Sequence, residues 1–494
     1  MSKRIGNLFA TAYLLILVTI YPFYMKNGYV EIGKAKFEFW ACISISAALL
    51  MFFFLVLRLA KDRAIYTMDI WVLLFGVCIG ISYLVSVDRK EALLGTDGWN
   101  MGVLVYGLLC LFYFMITRLW RPGYYIFGVS LAAACIVFVL GLLDRFSIYL
   151  IPLSIRDSGF ISTLGNINWF CGYLVIFLSL GAGLFVLGRK HEILLGMFCL
   201  VGFMAGFSQG GSSVFLYFMA LFTGLLWIAA ERREWLLKWS VLAGIWCVSA
   251  QAVRWMRFFL SGYNYETNNL CGYFTGGNTT WYFLLVVGVL FLVFLRISSQ
   301  GVVPVKKIRI AIGIAAAFAV VLYLLMGFYS TYLNRGILEN GHFLVWEDAW
   351  GNGRGVTFRT GILLFKNMDI PNKLFGVGAD CFSVYAYSVP EIADILQNYF
   401  AGSRLTNAHN ELITMLVNFG VLGTASYYGI YISYFHGMLR RESNPYILSV
   451  GVTAFCYLLH NLVSFATILN LPFLIVLLAM GQKCSIITYY DQIK

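Results

Sequence analysis

The sequence predicts an all-α polytopic membrane protein with about 12–14 transmembrane helices and one large, partly helical extracytoplasmic loop. Three features carry that prediction. Of 494 residues, 61% are hydrophobic and only 12% are charged, about half the charged fraction of a soluble domain. Runs such as "LFATAYLLILVTIYPFYM" (8–25) and "IRIAIGIAAAFAVVLYLLMGF" (308–328) reach the ~20 apolar residues that cross a bilayer. A single hydrophilic stretch, 329–408, is far longer than any other connection.

Taken in order with a window of about 19 residues, the apolar spans fall near 8–25, 39–58, 68–87, 101–117, 124–143, 167–188, 192–207, 212–230, 239–253, 281–296, 308–328, 410–435, 446–464 and 468–486. The first has no small-residue cleavage site after it and reads as a retained helix. The span at 239–253 is short and ends at Arg254. The chain divides into N-terminal helices (1–160), central helices (161–328), the large loop (329–408) and C-terminal helices (409–494).

Charge tests the alternation. With the N-terminus inside, the inner segments hold 20 of the 35 Lys/Arg and 7 of the 23 Asp/Glu. Lys and Arg favour cytoplasmic loops, so the formal net charge of +12 reads as plasma (inner) membrane orientation, with no nucleic-acid partner. The loop 329–408 then lies outside. Its aromatic residues supply enough apolar surface to fold. Within it "VTFRTGILLFKNM" has helical spacing, "GVGADCF" is turn-rich, and "PEIADILQNYF" opens with Pro at a helix start.

Polar groups concentrate on that outer side. "STLGNINWFCGY" puts Asn166 and Asn168 at the mouth of a span, and "FSQGGSSV" makes a tight turn through Ser208 and Gln209. The next loop offers Arg254 and Arg257 among aromatics, and the large loop offers Arg354 and Arg359. Arginine forks bind phosphate oxygens bidentately. Any one of these arginines could simply snorkel to the interface; their clustering on one side points to an anionic, phosphate-like ligand. The stretch "RLTNAHNELITML" gathers Asn407, His409, Asn410 and Glu411 at the start of a helix. Asn407 suits an N-cap and Glu411 the first turn, while His409 has the side chain of a general base. His460 and Asn461 read as a packed pair between helices, Asp144 and Arg145 as an interfacial pair. Cys271 and Cys381 are the two outer-loop cysteines and could bridge. The chain contains no HExxH or P-loop motif.

Four blocks, in order, resemble the O-antigen ligase family, the membrane superfamily that includes Wzy-type polysaccharide polymerases. They are "STLGNINWFCGYL", "GFSQGGSSVFLYFMALF", "WGNGRGVTFRTGILLFKNMDIPNKLFGVGADCF" and "LTNAHNELITMLVNFGVLG". The resemblance implies a GT-C-like membrane glycosyltransferase that moves a glycan from an undecaprenyl-diphosphate carrier to a glycan or lipid-glycan acceptor at the outer face, without cofactor or metal. It makes His409, Arg354 and Arg359 the catalytic candidates. Asn410, Glu411, Ser208, Gln209, Arg254, Arg257, Asn166 and Asn168 become the substrate-binding ones. One departure stands out: the family commonly reads Ser-Arg-Gly where this chain has Ser208-Gln209-Gly210. Arg254 or Arg257 is expected to supply the missing charge. The blocks leave ligase and polymerase open, and a lipid-linked glycan transporter or flippase is the non-enzymatic alternative.

Overall fold

The structure is a computed structural model and describes residues 2–26, 28, 30–61, 64–153, 159–263, 269–299, 305–333, 344–439 and 444–493. Arg335 and His342 of the large loop lie outside these residues. The described chain is helical, with no strand among the described residues and a single isolated bridge at Ile161–Gly165. Ten helices are long and apolar enough to cross a membrane, and four shorter apolar helices (Val103–Leu119, Glu192–Ser208, Ser213–Ala229 and Pro445–His460) accompany them. Each falls on one of the apolar runs. The doubtful stretch near 239–253 is the middle of a 27-residue helix, Arg233–Phe259.

The helix Ile167–Leu187 is the axis of the bundle, buried along its whole apolar window, and Pro445–His460 packs along it. Close packing there needs small residues, because a Cβ on Gly183 would strike Ser449. By contrast, Thr279–Arg296 and Val305–Leu333 bury only 11% and 6% of their apolar windows. An apolar helix left this bare is solvated by lipid. N-terminal and C-terminal helices also interlock: Thr67–Leu84 lies on Glu411–Leu439, and Val103–Leu119 on Leu471–Ile493. One hydrophobic core therefore runs through the N-terminal, central and C-terminal helices.

Hydrogen bonds between connections sort the chain into two ends. At one end Thr163 donates to the Pro22 carbonyl, Tyr21 to Ile468, Thr96 N–H to Asp380, Ser147 to Gly262 and Tyr263 to Ser208. At the other, the Arg121 N–H donates to Asn7, Lys238 to the Gly188 carbonyl, Arg309 to Glu231 and Asn444 to Tyr124. Every one joins connections of the same parity in a fourteen-span alternation.

The described part of the large segment, 344–408, folds at the first end. It contains helices Trp350–Asn367, Ile370–Phe375, Phe382–Ser388 and Pro390–Phe400. The first is interrupted by left-handed residues at Gly351, Asn352 and Gly353. A small core of its own, with Leu364, Met368, Phe382, Ile392 and Leu396, joins Ala92 and Val417 of the bundle. Backbone stitches fasten it: Val377 N–H to the Val417 carbonyl at 3.0 Å and Gly378 N–H to Asn418 at 3.2 Å. Gly376 and Gly420, both with positive φ, make that approach possible; a Cβ on either would lie within 2.4 Å of the other segment's backbone. Gly420 is also where the helix Glu411–Leu439 kinks.

Candidate active site

The turn after helix Pro445–His460 is the hub of the site. The Arg354 Nε donates to the Val463 carbonyl at 2.9 Å, Asn410 Nδ2 to Leu462 at 2.8 Å, and the Glu411 N–H to Asn461 at 2.9 Å. Asn461 Nδ2 returns a bond to the Glu411 carboxylate, and His460 Nδ1 pairs with Asn461 Oδ1 at 3.0 Å. Two stretches distant in sequence, at Arg354 and at Asn410–Glu411, thus meet on the four consecutive residues 460–463. Sequence reasoning missed this hub, taking His460 and Asn461 for a simple packed pair. The signal was a His-Asn dipeptide ending an apolar span.

His409 stands beside the hub in a left-handed conformation, φ 51°. Such a backbone costs about 1–3 kcal/mol for a non-glycine residue and persists because its surroundings hold it. The Asn407 Oδ1 accepts the His409 N–H at 2.9 Å, and Thr357 Oγ1 clamps the preceding Ala408 carbonyl at 2.9 Å. Thr357 is one turn along the helix from Arg354, so the clamp couples the two functional side chains. Capping is divided differently from the sequence expectation: Asn410, not Asn407, accepts the Ile413 N–H at 3.0 Å at the helix start.

The imidazole is not poised near neutrality. Burial and then the Arg354 charge pull its pKa down to about 4, with the Asn407 backbone opposing weakly. The ring is therefore neutral at pH 7, and its Nδ1 is buried without a hydrogen-bond partner among the described residues. Arg354 forms no ion pair among the described residues; its Nη1 donates to the Gly351 carbonyl at 2.7 Å. Burial also lowers its pKa from the ordinary arginine value. A half-buried guanidinium with no carboxylate beside it is short of negative charge.

Glu411 is fully engaged. Its carboxylate accepts from Tyr427 at 2.6 Å as well as from Asn461, and Tyr431 donates on to Tyr427 at 2.8 Å. Its position is that of a positioning residue. Arg359 makes no hydrogen bond to His409 among the described residues. It lies about 140° around the helix from Arg354 and makes a bidentate pair with Asp348, at 2.9 and 2.6 Å. That pair borders a separate cleft of about 330 Å³ with Tyr323, Trp346, Trp350 and Phe358.

The Asn166 start reaches His409 through rings. Asn166 caps its helix by accepting the Asn168 N–H at 2.7 Å. The adjacent Trp169 meets Trp99 edge-on at 5.3 Å, Trp99 meets Phe465 at 5.1 Å, and Phe465 meets His409 at 5.1 Å. Asp380 fixes this wall: its carboxylate accepts the Thr96 and Met101 N–H groups at 2.8 and 3.0 Å. Burial pushes the Asp380 pKa up to about 6, against those two donors.

The Ser208-Gln209 turn meets a different arginine from those expected. Arg145 Nε donates to Gln209 Oε1 at 2.8 Å, and both side chains are buried. Asp144 meanwhile accepts the Ser162 N–H at 2.7 Å, so the two neighbours are tied inward, not set out at an interface. Arg257 lies over the Tyr263 ring at 4.9 Å, and Tyr263 donates to the Ser208 carbonyl, so Arg257 reaches the turn only indirectly. Arg254 bonds Gly277 and Asn278, away from it. Cys271 and Cys381 are both buried and do not bridge, and Cys271 Sγ donates to the Phe207 carbonyl.

Among the described residues no group of three His, Cys, Asp or Glu side chains is placed to hold a metal. The chain matches no protein-family model, and no curated protein matches it.

Proposed function

We propose that this chain is a membrane glycosyltransferase of the O-antigen ligase type, transferring a glycan from a polyprenyl-diphosphate carrier to an acceptor hydroxyl at the outer face of the plasma membrane. The observation that carries the reading is the pairing of a neutral imidazole, His409, with a half-buried guanidinium, Arg354, that has no carboxylate partner among the described residues. The donor's diphosphate would compensate that charge. In doing so it would raise the His409 pKa from about 4 toward the range where a base works best.

The reaction then balances simply. The acceptor oxygen bonds to the anomeric carbon while its proton passes to the His409 imidazole. The bond from the anomeric carbon to the diphosphate oxygen breaks, and its electron pair leaves with the polyprenyl diphosphate. Arg354 stabilises the growing charge on that leaving group. The aromatic wall from Trp169 to Phe465 offers flat apolar faces of the kind sugars stack on. The cleft bordered by Trp346, Trp350 and the Arg359–Asp348 pair suits the acceptor's remaining sugars.

Purified protein reconstituted with an undecaprenyl-diphosphate oligosaccharide separates the outcomes. Release of carrier diphosphate with a lengthened glycan identifies a polymerase, and glycan on a different acceptor identifies a ligase. Movement of intact carrier between leaflets without release identifies a flippase and ends the enzymatic reading.

A further inference from the structure

The cleft of about 330 Å³ beside Arg359 is walled by four aromatic rings, Tyr323, Trp346, Trp350 and Phe358. Hydrogen bonds and close packing hold the rings in place. Tyr323 and Trp346 lie 6.4 Å apart between ring centroids, and Trp350 and Phe358 lie 5.6 Å apart. Trp350 Nε1 donates to the Tyr323 hydroxyl at 3.2 Å, which joins the two pairs, and the Trp346 N–H donates to Thr331 Oγ1 at 2.9 Å. Gly327 lets the Trp346 indole press onto its helix, since a Cβ there would lie 2.4 Å from the ring.

Charge says what such a cleft prefers. Aromatic faces attract a cation within about 6 Å of the ring centre. Among the described residues Arg359 is the one basic residue of the lining, and both its Nε and its Nη2 are spent on Asp348, at 2.9 and 2.6 Å. Glu347 also lines the cleft; it is exposed, and its carboxylate has no hydrogen bond or ion pair among the described residues. With two acids and one arginine, the lining carries one net negative charge. The surplus is opposite in sign to that at Arg354, where the donor's diphosphate would sit. Building on the assignment of this cleft to the acceptor, we propose that the acceptor glycan presents an amino sugar with a free ammonium group here. The pyranose faces stack on the rings, and the ammonium lies between them and Glu347. A neutral sugar stacks equally well but gains nothing from Glu347, and an acidic sugar is repelled by it.

Calorimetric titration of the full-length protein in neutral detergent, at about pH 6, tests this with a glucosamine trisaccharide and its fully N-acetylated counterpart. The two ligands share a scaffold and differ in charge. The wild type should bind the amine form about tenfold more tightly, the effect of one cation–π contact and one exposed ion pair. Glu347→Gln should cut that ratio to about threefold or less and leave the affinity for the acetylated form unchanged. Glu391→Gln, at an exposed acid of helix Pro390–Phe400, should keep the wild-type ratio. Equal affinities in the wild type, or a ratio undiminished by Glu347→Gln, overturn the amino-sugar proposal while the cleft still takes acceptor sugars. Binding of neither trisaccharide overturns the acceptor assignment as well. Ethanolamine competing as strongly as the amine trisaccharide assigns the cleft to a bare ammonium headgroup and overturns the saccharide.

Discussion

Glu411 and Asn461, fifty residues apart, hold each other twice: the Glu411 N–H donates to the Asn461 carbonyl at 2.9 Å, and Asn461 Nδ2 donates to the Glu411 carboxylate. The double tie locks the start of helix Glu411–Leu439 to the turn that also receives Arg354 and Asn410. Asn461→Ala strands part of a buried carboxylate, at a cost of about 1–3 kcal/mol or more. A melting midpoint several degrees lower, with reduced transfer, is the expected result of thermal scans in detergent. An unchanged midpoint would show the tie to be incidental.

Arg354 and Arg359 should separate cleanly. Arg354→Gln removes the half-buried guanidinium whose charge acts on His409 and is expected to slow transfer by about 100-fold or more, in line with loss of a preorganised charge. Arg359→Gln breaks a half-exposed pair of the kind worth 0–1 kcal/mol, and should weaken acceptor affinity by less than about tenfold. Steady-state kinetics with donor and acceptor varied separately decide this. The reverse ranking would move the reaction centre to the Arg359 cleft.

Arg145 Nε donates to Gln209 at 2.8 Å, which sets a guanidinium against the turn where the resemblance leads one to expect an arginine. Arg145→Gln should lower transfer more than Arg254→Ala does, and Arg145→Gln/Gln209→Arg should recover a substantial part of it by restoring the guanidinium across the same contact. A double variant as weak as the single one would place the required charge elsewhere.

Acid should weaken the fold through His409. Its folded pKa is about 4 and its unfolded one ~6.5. Between those values the unfolded chain binds a proton that the folded chain does not. This contribution to stability therefore falls as pH drops from about 6.5 to 4. Asp380 acts with the opposite sign over about pH 6 to 4, because burial raises its pKa. Melting midpoints against pH should thus decline less on acidification in His409→Gln than in the wild type; parallel curves would contradict the buried, neutral imidazole.

The fold was largely legible because the apolar runs are long: each expected span has its helix, and "PEIADILQNYF" is a helix with Pro390 at its first position. His409, Arg354 and Asn410 were recognisable as polar residues beside apolar runs. Arg359 was grouped with Arg354 by its nearness in sequence, although five residues on a helix turn a side chain to another face. Arg145 and Asn461 were missed for a different reason. Each acts through a partner 64 and 50 residues away, and no local pattern records such a distance.

The most direct test is a single-turnover measurement of polyprenyl diphosphate release by reconstituted wild type and His409→Ala. The wild type should release one carrier diphosphate per new glycosidic bond. His409→Ala should do so about 10²–10⁴-fold more slowly while melting at the same temperature and still binding donor. Release by His409→Ala at the wild-type rate would contradict the assignment of the proton to this imidazole.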